Sequence, residues 1–168
     1  MARITLFRHA KAETPSSQQD DFSRVLNARG QRNADRMGRF IAENALVPEL
    51  VIVSSAARAR ETHEIAANHW PDTPVIWLDS IYEASATTIM AAIEAHGGDN
   101  GHVMVIGHNP GLTVLLMHMI DATATHANLA NFPTSCVAVI GFDAETINQI
   151  DLESGRLCSL VRVGDLSD

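Results

Sequence analysis

Residues 103–120 read VMVIGHNPGLTVLLMHMI. Val103–Ile106 is a short apolar run, Gly107-His108-Asn109-Pro110-Gly111 is a tight turn, and Leu112–Ile120 is apolar again at helical length: a buried strand, a turn and a helix in immediate succession. The same grammar stands upstream. Leu50–Val53 reads as a buried strand, Ser54 and Ser55 are suited to cap a helix, and Ala56–His69 is that helix. Arg3–Phe7 is a first strand. A polar loop over Glu13–Asp21 follows, then a helix over Asn27–Ala45, in which Met37, Phe40, Ile41 and Ala45 recur at helical spacing. Val75–Leu78, entered past Pro71 and Pro74, is a further strand, and Ser85–Ala95 a helix stopped by Gly97-Gly98. The tail changes character, with Cys136–Phe142, Thr146–Ile150 and Leu157–Val163 reading as strands joined by short turns. Strands alternating with helices predict an α/β three-layer sandwich, with a mostly parallel central sheet, helices on both faces and an antiparallel C-terminal edge. At 168 residues, with neither repeat nor linker, residues 1–168 are expected to form a single domain.

Composition narrows the function classes. Apolar residues make up 46% and charged residues 19%, a globular balance. The net charge is −8 and Lys11 is the one lysine, so no basic stripe for nucleic acid is present. The apolar stretch in MARITLFRHAK is too short for a signal peptide, and no run is long enough to span a membrane, so a cytoplasmic protein is expected. Cys136 and Cys158 form neither CxxC nor a zinc spacing and read as buried free thiols. The histidines make no HExxH or other compact ligand set, and neither a metal nor another cofactor is expected. His63, His69, His96, His102, His118 and His126 are scattered and read as structural or exposed.

In open α/β sheets, ligands bind beyond the carboxyl ends of the strands. The first strand delivers Arg8 and His9 there. The second delivers Ser54, Ser55 and, one helical turn on, Arg58. The third leads to Tyr82 and Glu83, and the fourth to His108, Asn109 and a helix N-terminus. Two arginines, two histidines and a carboxylate at one rim compose an anion site with a nucleophile in it. A phosphoryl group in transit spreads negative charge over its equatorial oxygens, so its transfer is catalysed by positioning and electrostatics. Arg8 and Arg58 can each give two parallel hydrogen bonds to phosphate oxygens. Backbone N–H groups after Pro110 offer further donors, and a protonated His108 would be another. Positive neighbours keep His9 neutral, and so nucleophilic, near pH 7.

Arg8-His9 after the first strand, Ser54-Ser55-Ala56-Ala57-Arg58-Ala59-Arg60-Glu61-Thr62, and Gly107-His108-Asn109-Pro110, in that order, resemble the histidine phosphatase superfamily. Arg8-His9-Ala10-Lys11 with His108-Asn109-Pro110-Gly111 in a short chain resembles its phosphohistidine phosphatase (SixA-type) branch. Leu26–Gly30 and the ending Leu160-Val161-Arg162 with Asp165-Leu166 extend the likeness over nearly the whole chain. The resemblance implies that His9 is phosphorylated, that Arg8, Arg58 and His108 form the phosphate pocket, and that water hydrolyses the phosphohistidine. Many members protonate the leaving group with a carboxylate after the third strand. Glu83 stands near that place, but Tyr82-Glu83-Ala84-Ser85 departs from the usual acidic motif, and its role as proton donor stays open. A phosphohistidine substrate lessens the need for one, because its imidazole can leave neutral.

Between Arg58 and His108 there is room for little beyond one strand and one helix, too little to roof the site. An open site suits a phosphorylated side chain on a partner protein, such as a phosphorelay domain. The alternatives are a broad phosphatase of small phosphomonoesters and, in a different class, a non-catalytic module that binds phosphorylated ligands. A mutase fits less well without a roofing insertion. Arg29, Arg32, Arg36 and Arg39 read as a solvated helix face, Arg60 as a solvated residue, Asn109 and Pro110 as turn-shaping, and Phe132-Pro133-Thr134-Ser135 as a plain loop, with Thr134 at the pocket edge as the alternative.

Overall fold

A computed structural model describes residues 1–121 and 128–167; His126 lies outside the described residues. The described residues hold ten strands and α-helices, which alternate as expected through the first two thirds: β1 (Ala2–Arg8), α1 (Ala28–Glu43), β2 (Leu50–Ser54), α2 (Ala57–Ala66), β3 (Val75–Leu78), α3 (Ala86–Gly97), β4 (His102–Gly107), α4 (Gly111–Met119), β5 (Val137–Phe142) and β6 (Arg156–Val161). The strands form one sheet in the order β3-β2-β4-β1-β5-β6. The first four are mutually parallel; β5 runs antiparallel to β1, and β6 antiparallel to β5.

Side chains alternate across the sheet with the strand period of two. Phe7, Val51, Val53, Met104 and Ile106 face Met37 and Ile41 of α1 and Ala59 and Ala66 of α2. Ile4, Leu6, Ile52, Val103 and Val105 face Ile89 and Ile93 of α3 and Leu112, Leu115 and Leu116 of α4. Strands buried on both faces carry unbroken apolar runs, which is why β2 and β4 were legible as strands. Helix starts follow side-chain caps at α1, where Asn27 accepts from the Gly30 amide, and at α3, where Ser85 accepts from Thr88.

Three expectations need correction. Residues 146–150 are not a strand: Ile147–Gln149 is a 3-10 turn. Its Ile147 and Asn148 amides donate to the Asn100 and Gly98 carbonyls, so it is tied to the end of α3 rather than to the sheet. Ser54 and Ser55 do not cap α2, whose N-cap is Ala56 without a side-chain bond. Cys136 is buried but Cys158 is exposed, because β6 is the sheet edge with one face in solvent. No helix among the described residues is long and apolar enough to cross a membrane.

The register brings the chemistry together. Arg8 pairs with Gly107 across the parallel β1–β4 ladder, so the next residues, His9 and His108, emerge side by side from adjacent strands. The His9 amide donates to the Gly107 carbonyl at 3.1 Å.

Candidate active site

The rings of His9 and His108 lie 5.1 Å apart, centroid to centroid, at the carboxyl edge of the sheet. His9 Nδ1 stands 2.8 Å from the Ala10 carbonyl oxygen. A carbonyl only accepts, so Nδ1 carries the proton and the lone pair sits on Nε2. That nitrogen faces Arg58, whose Nε donates to it at 3.3 Å. The turn behind His9 is fixed by Thr62, which accepts from the Ala10 amide at 2.9 Å and donates to the Arg58 carbonyl at 2.7 Å. The hydroxyl thus ties the end of β1 to the first turns of α2.

Burial, and then Arg58, Arg8 and Arg24, push the His9 imidazole down to about 4, against an opposing effect of the Ala10 bond. It is a neutral base at pH 7. His108 is pushed down to about 3 by burial first and by the neighbouring His9 and Arg58. Its Nε2 lies 2.7 Å from Ser54 Oγ. In this environment His108 is a neutral imidazole; an arriving phosphate dianion opposes the arginines and favours its charged form.

Arg58 is 2% exposed, with every guanidinium nitrogen engaged. Besides His9 it donates from Nη1 to the Asp21 carbonyl at 2.8 Å and from Nη2 to Asp21 Oδ2 at 3.0 Å and Glu83 Oε1 at 3.3 Å. Arg8 Nη1 donates to the Phe132 carbonyl at 3.0 Å, and Asn109 Nδ2 to the same oxygen at 2.9 Å. Asn109 Oδ1 takes the Thr113 amide, while the Leu112 and Val114 amides go to the His108 and Pro110 carbonyls. The donors expected from the start of α4 are thus already spent inside the turn, apart from Gly111. Asn109 shapes the turn, as anticipated.

A cavity of about 210 Å³ opens above these groups, lined by Arg8, His9, Lys11, Arg24, Arg58, Glu83, His108, Asn109 and Thr134. Four cations and one carboxylate around one cavity, in a chain of net charge −8, make it locally an anion site. Thr134 edges it, the alternative the sequence offered to a plain loop. Glu83 reaches it from an exposed position, on a left-handed backbone with φ 47°. Arg60 stays exposed and stacks over Trp77 at 5.3 Å, and the remaining described histidines are outside the cavity.

Sequence reasoning missed Asp21, Arg24 and Thr62. Asp21 sits on a 3-10 turn, Asp21–Ser23, in the loop after β1. Its Oδ1 takes Arg24 Nε and Nη2 at 3.2 and 2.8 Å, and its Oδ2 takes the Tyr82 hydroxyl as well as Arg58. The Tyr82 hydroxyl, then Arg24 and Arg58, hold the Asp21 carboxyl far below the ordinary carboxylate range. An Asp three residues before an Arg in a polar loop was the available signal.

The model of the histidine phosphatase superfamily (branch 1) matches residues 4–88, half of the chain. The chain belongs to the histidine phosphatase superfamily. A Mycobacterium tuberculosis protein, itself uncharacterized, is 31% identical over 79% of this chain and 85% of its own length. Among solved structures, a candidate phosphohistidine phosphatase SixA from Agrobacterium tumefaciens superposes with a TM-score of 0.83 at 30% identity, over 96% of this chain and 97% of that one. The protein histidine phosphatase SixA complexed with tungstate shares the fold, with a TM-score of 0.81 at 19% identity, over 98% of this chain and 99% of that one. Within the histidine phosphatase superfamily the chain is SixA-type.

Proposed function

We propose that residues 1–168 form one phosphatase domain that carries the phosphoryl group on His9 Nε2 and removes it, by preference, from a phosphohistidine of a partner protein. The observation that carries the covalent step is the tautomer. With Nδ1–H held on the Ala10 carbonyl, the lone pair of a neutral His9 points into a cavity walled by guanidinium groups. The phosphoryl group approaches that lone pair with its equatorial oxygens on Arg8, Arg58 and His108. The Nε2–P bond forms as the bond from phosphorus to the leaving group breaks. From a phosphohistidine, the departing nitrogen keeps its electron pair and leaves as neutral imidazole when its other nitrogen already bears a proton. Water then attacks phosphorus, the Nε2–P bond breaks, its electron pair returns to His9, and the water proton leaves with phosphate.

The preference for phosphohistidine rests on the likeness to SixA, on the open cavity and on Glu83. That carboxylate is exposed and engaged by Arg58 Nη2 at 3.3 Å, so it is tied to the phosphate-binding arginine rather than fixed for a leaving group. The second reading, a phosphatase of small phosphomonoesters, has one observation in its favour: Glu83 lines the same cavity as His9, where an alkoxide leaving group needs an acid.

One experiment tests both steps. Labelling with a radiolabelled phosphohistidine protein, quenched in alkaline detergent to preserve the P–N bond, should leave phosphate on the parent and none on His9→Ala, and a panel of sugar phosphates should turn over at least 100-fold more slowly, on the order of one missing general acid. Absence of label in the parent rejects the covalent route; faster turnover of sugar phosphates rejects the phosphohistidine preference.

A further inference from the structure

The two edges of the Arg58 guanidinium are held differently. The far edge, Nη1 and Nη2, is anchored on Asp21 at 2.8 and 3.0 Å. The near edge, Nε and Nη2, faces the cavity through two longer bonds, at 3.3 Å each, to His9 Nε2 and Glu83 Oε1. A guanidinium binds phosphate as a fork, through one edge at a time. The near edge is the one a phosphoryl oxygen pair takes, by replacing the two long bonds, while the Asp21 edge stays engaged.

Asp21 is itself fixed from two other directions, by Arg24 on Oδ1 and by the Tyr82 hydroxyl on Oδ2. One carboxylate thus joins the loop after β1, the first turn of α2 and the segment after β3. A general acid it is not, being held as the anion by three donors. Nor is it needed to fasten its own loop. Asp20 caps the 3-10 turn through the Ser23 amide at 2.8 Å, and Glu61 Oε2 takes the Leu26 amide at 2.7 Å.

We propose that Asp21 is a positioning residue that acts through Arg58, fixing the guanidinium by its far edge so that the Nε–Nη2 edge meets the phosphoryl group at His9. This rests on the function proposed above. The same contact supplies the counter-charge that lets an arginine stay almost wholly buried before any phosphate arrives.

The test is a double-mutant cycle read by orthovanadate binding in calorimetry, with parent, Asp21→Ala, Arg58→Ala and the double variant, each checked for native circular dichroism. Loss of one charge-assisted contact predicts vanadate binding weakened about 10- to 100-fold in Asp21→Ala. In the Arg58→Ala background the same change should cost less than about twofold, since coupled residues are not additive. Asp21→Asn keeps one acceptor oxygen but turns an NH₂ toward a donor, and should fall between parent and Asp21→Ala. Unchanged binding in Asp21→Ala, or a loss of full size in the Arg58→Ala background, overturns the proposal. If Asp21→Ala does not fold, Asp21→Asn and Tyr82→Phe take its place in the cycle, and the same two results overturn the proposal. Labelling of His9 in the parent is scored separately. Label on His9 with a flat cycle rejects the role of Asp21 alone, whereas an unlabelled parent with a coupled cycle rejects the covalent function and keeps the Asp21–Arg58 pair.

Discussion

Ser54 lies where a helix cap belongs and serves a histidine instead. Its Oγ is 2.7 Å from His108 Nε2, and both residues are buried. Removing the hydroxyl strips that buried ring of its Nε2 partner. A buried polar atom left unpaired costs about 1–3 kcal/mol, so Ser54→Ala should lower the unfolding free energy in urea by about that amount. An unchanged midpoint would mean that His108 is held by packing alone. At this scale the sequence was legible for residues that leave strand ends, since strand position and side-chain chemistry coincide there: Arg8, His9 and His108 follow directly. Asp21 and Thr62 were hidden for a physical reason. Asp21 acts from an irregular loop on partners 37 and 61 positions away, Arg58 and Tyr82. Thr62 acts through a backbone amide 52 positions away, which no local pattern announces.

The strands were legible from their apolar runs, the half-buried edge strands β3 and β6 included. Residues 146–150 show the limit. Ile147 alone is deeply buried there, packed where a side chain on Gly97 would otherwise stand, so one anchored residue in a turn imitated a short strand. Close backbone approach also sets where α4 begins. A Cβ on Gly111 would stand 2.2 Å from the Ala84 carbonyl oxygen and 3.0 Å from Ile89 Cδ1. Ala84 directly follows Glu83, so this contact couples the helix bearing the His108 turn to the segment bearing the carboxylate. Neither the carbonyl nor the helix axis can yield without moving a site residue. Gly111→Ala should therefore cost about 1–3 kcal/mol of stability, the usual range for overpacking, and should disturb the Glu83 segment. A substitution that leaves urea stability unchanged would show that α4 and the Ala84 turn are free to separate.

Across the whole molecule, the same burial that keeps the site reactive ties folding to pH. His9 and His102 are pushed down to about 4 and His108 to about 3, in each case by burial first. His102 belongs to the sheet rather than the site, with Nε2 2.8 Å from Thr5 Oγ1. In the unfolded chain all three return to the ordinary value of 6.5. Between pH 6.5 and about 4 the unfolded state therefore binds protons that the folded state refuses, and protonation pulls the chain toward unfolding. The stabilisation is complete above pH 6.5 and is lost as pH falls through that window, by up to about 1.4 kcal/mol per pH unit for each histidine. Asp21 acts with the same sign further down, its depressed carboxyl stabilising the fold above the ordinary carboxylate range and ceasing to as acid reaches it. A bound phosphate dianion works in the opposite direction on His9 and His108, since it favours their charged forms and leaves His102 untouched. Urea unfolding followed from pH 7.5 to 4.5 should show a flat stability that turns downward below about 6.5. Saturating inorganic phosphate should make that descent shallower without removing it, because the share of His102 remains. A free energy independent of pH over this range would mean that the three imidazoles are not held neutral in the fold, and the role proposed for His9 as nucleophile would lose its electrostatic basis with them.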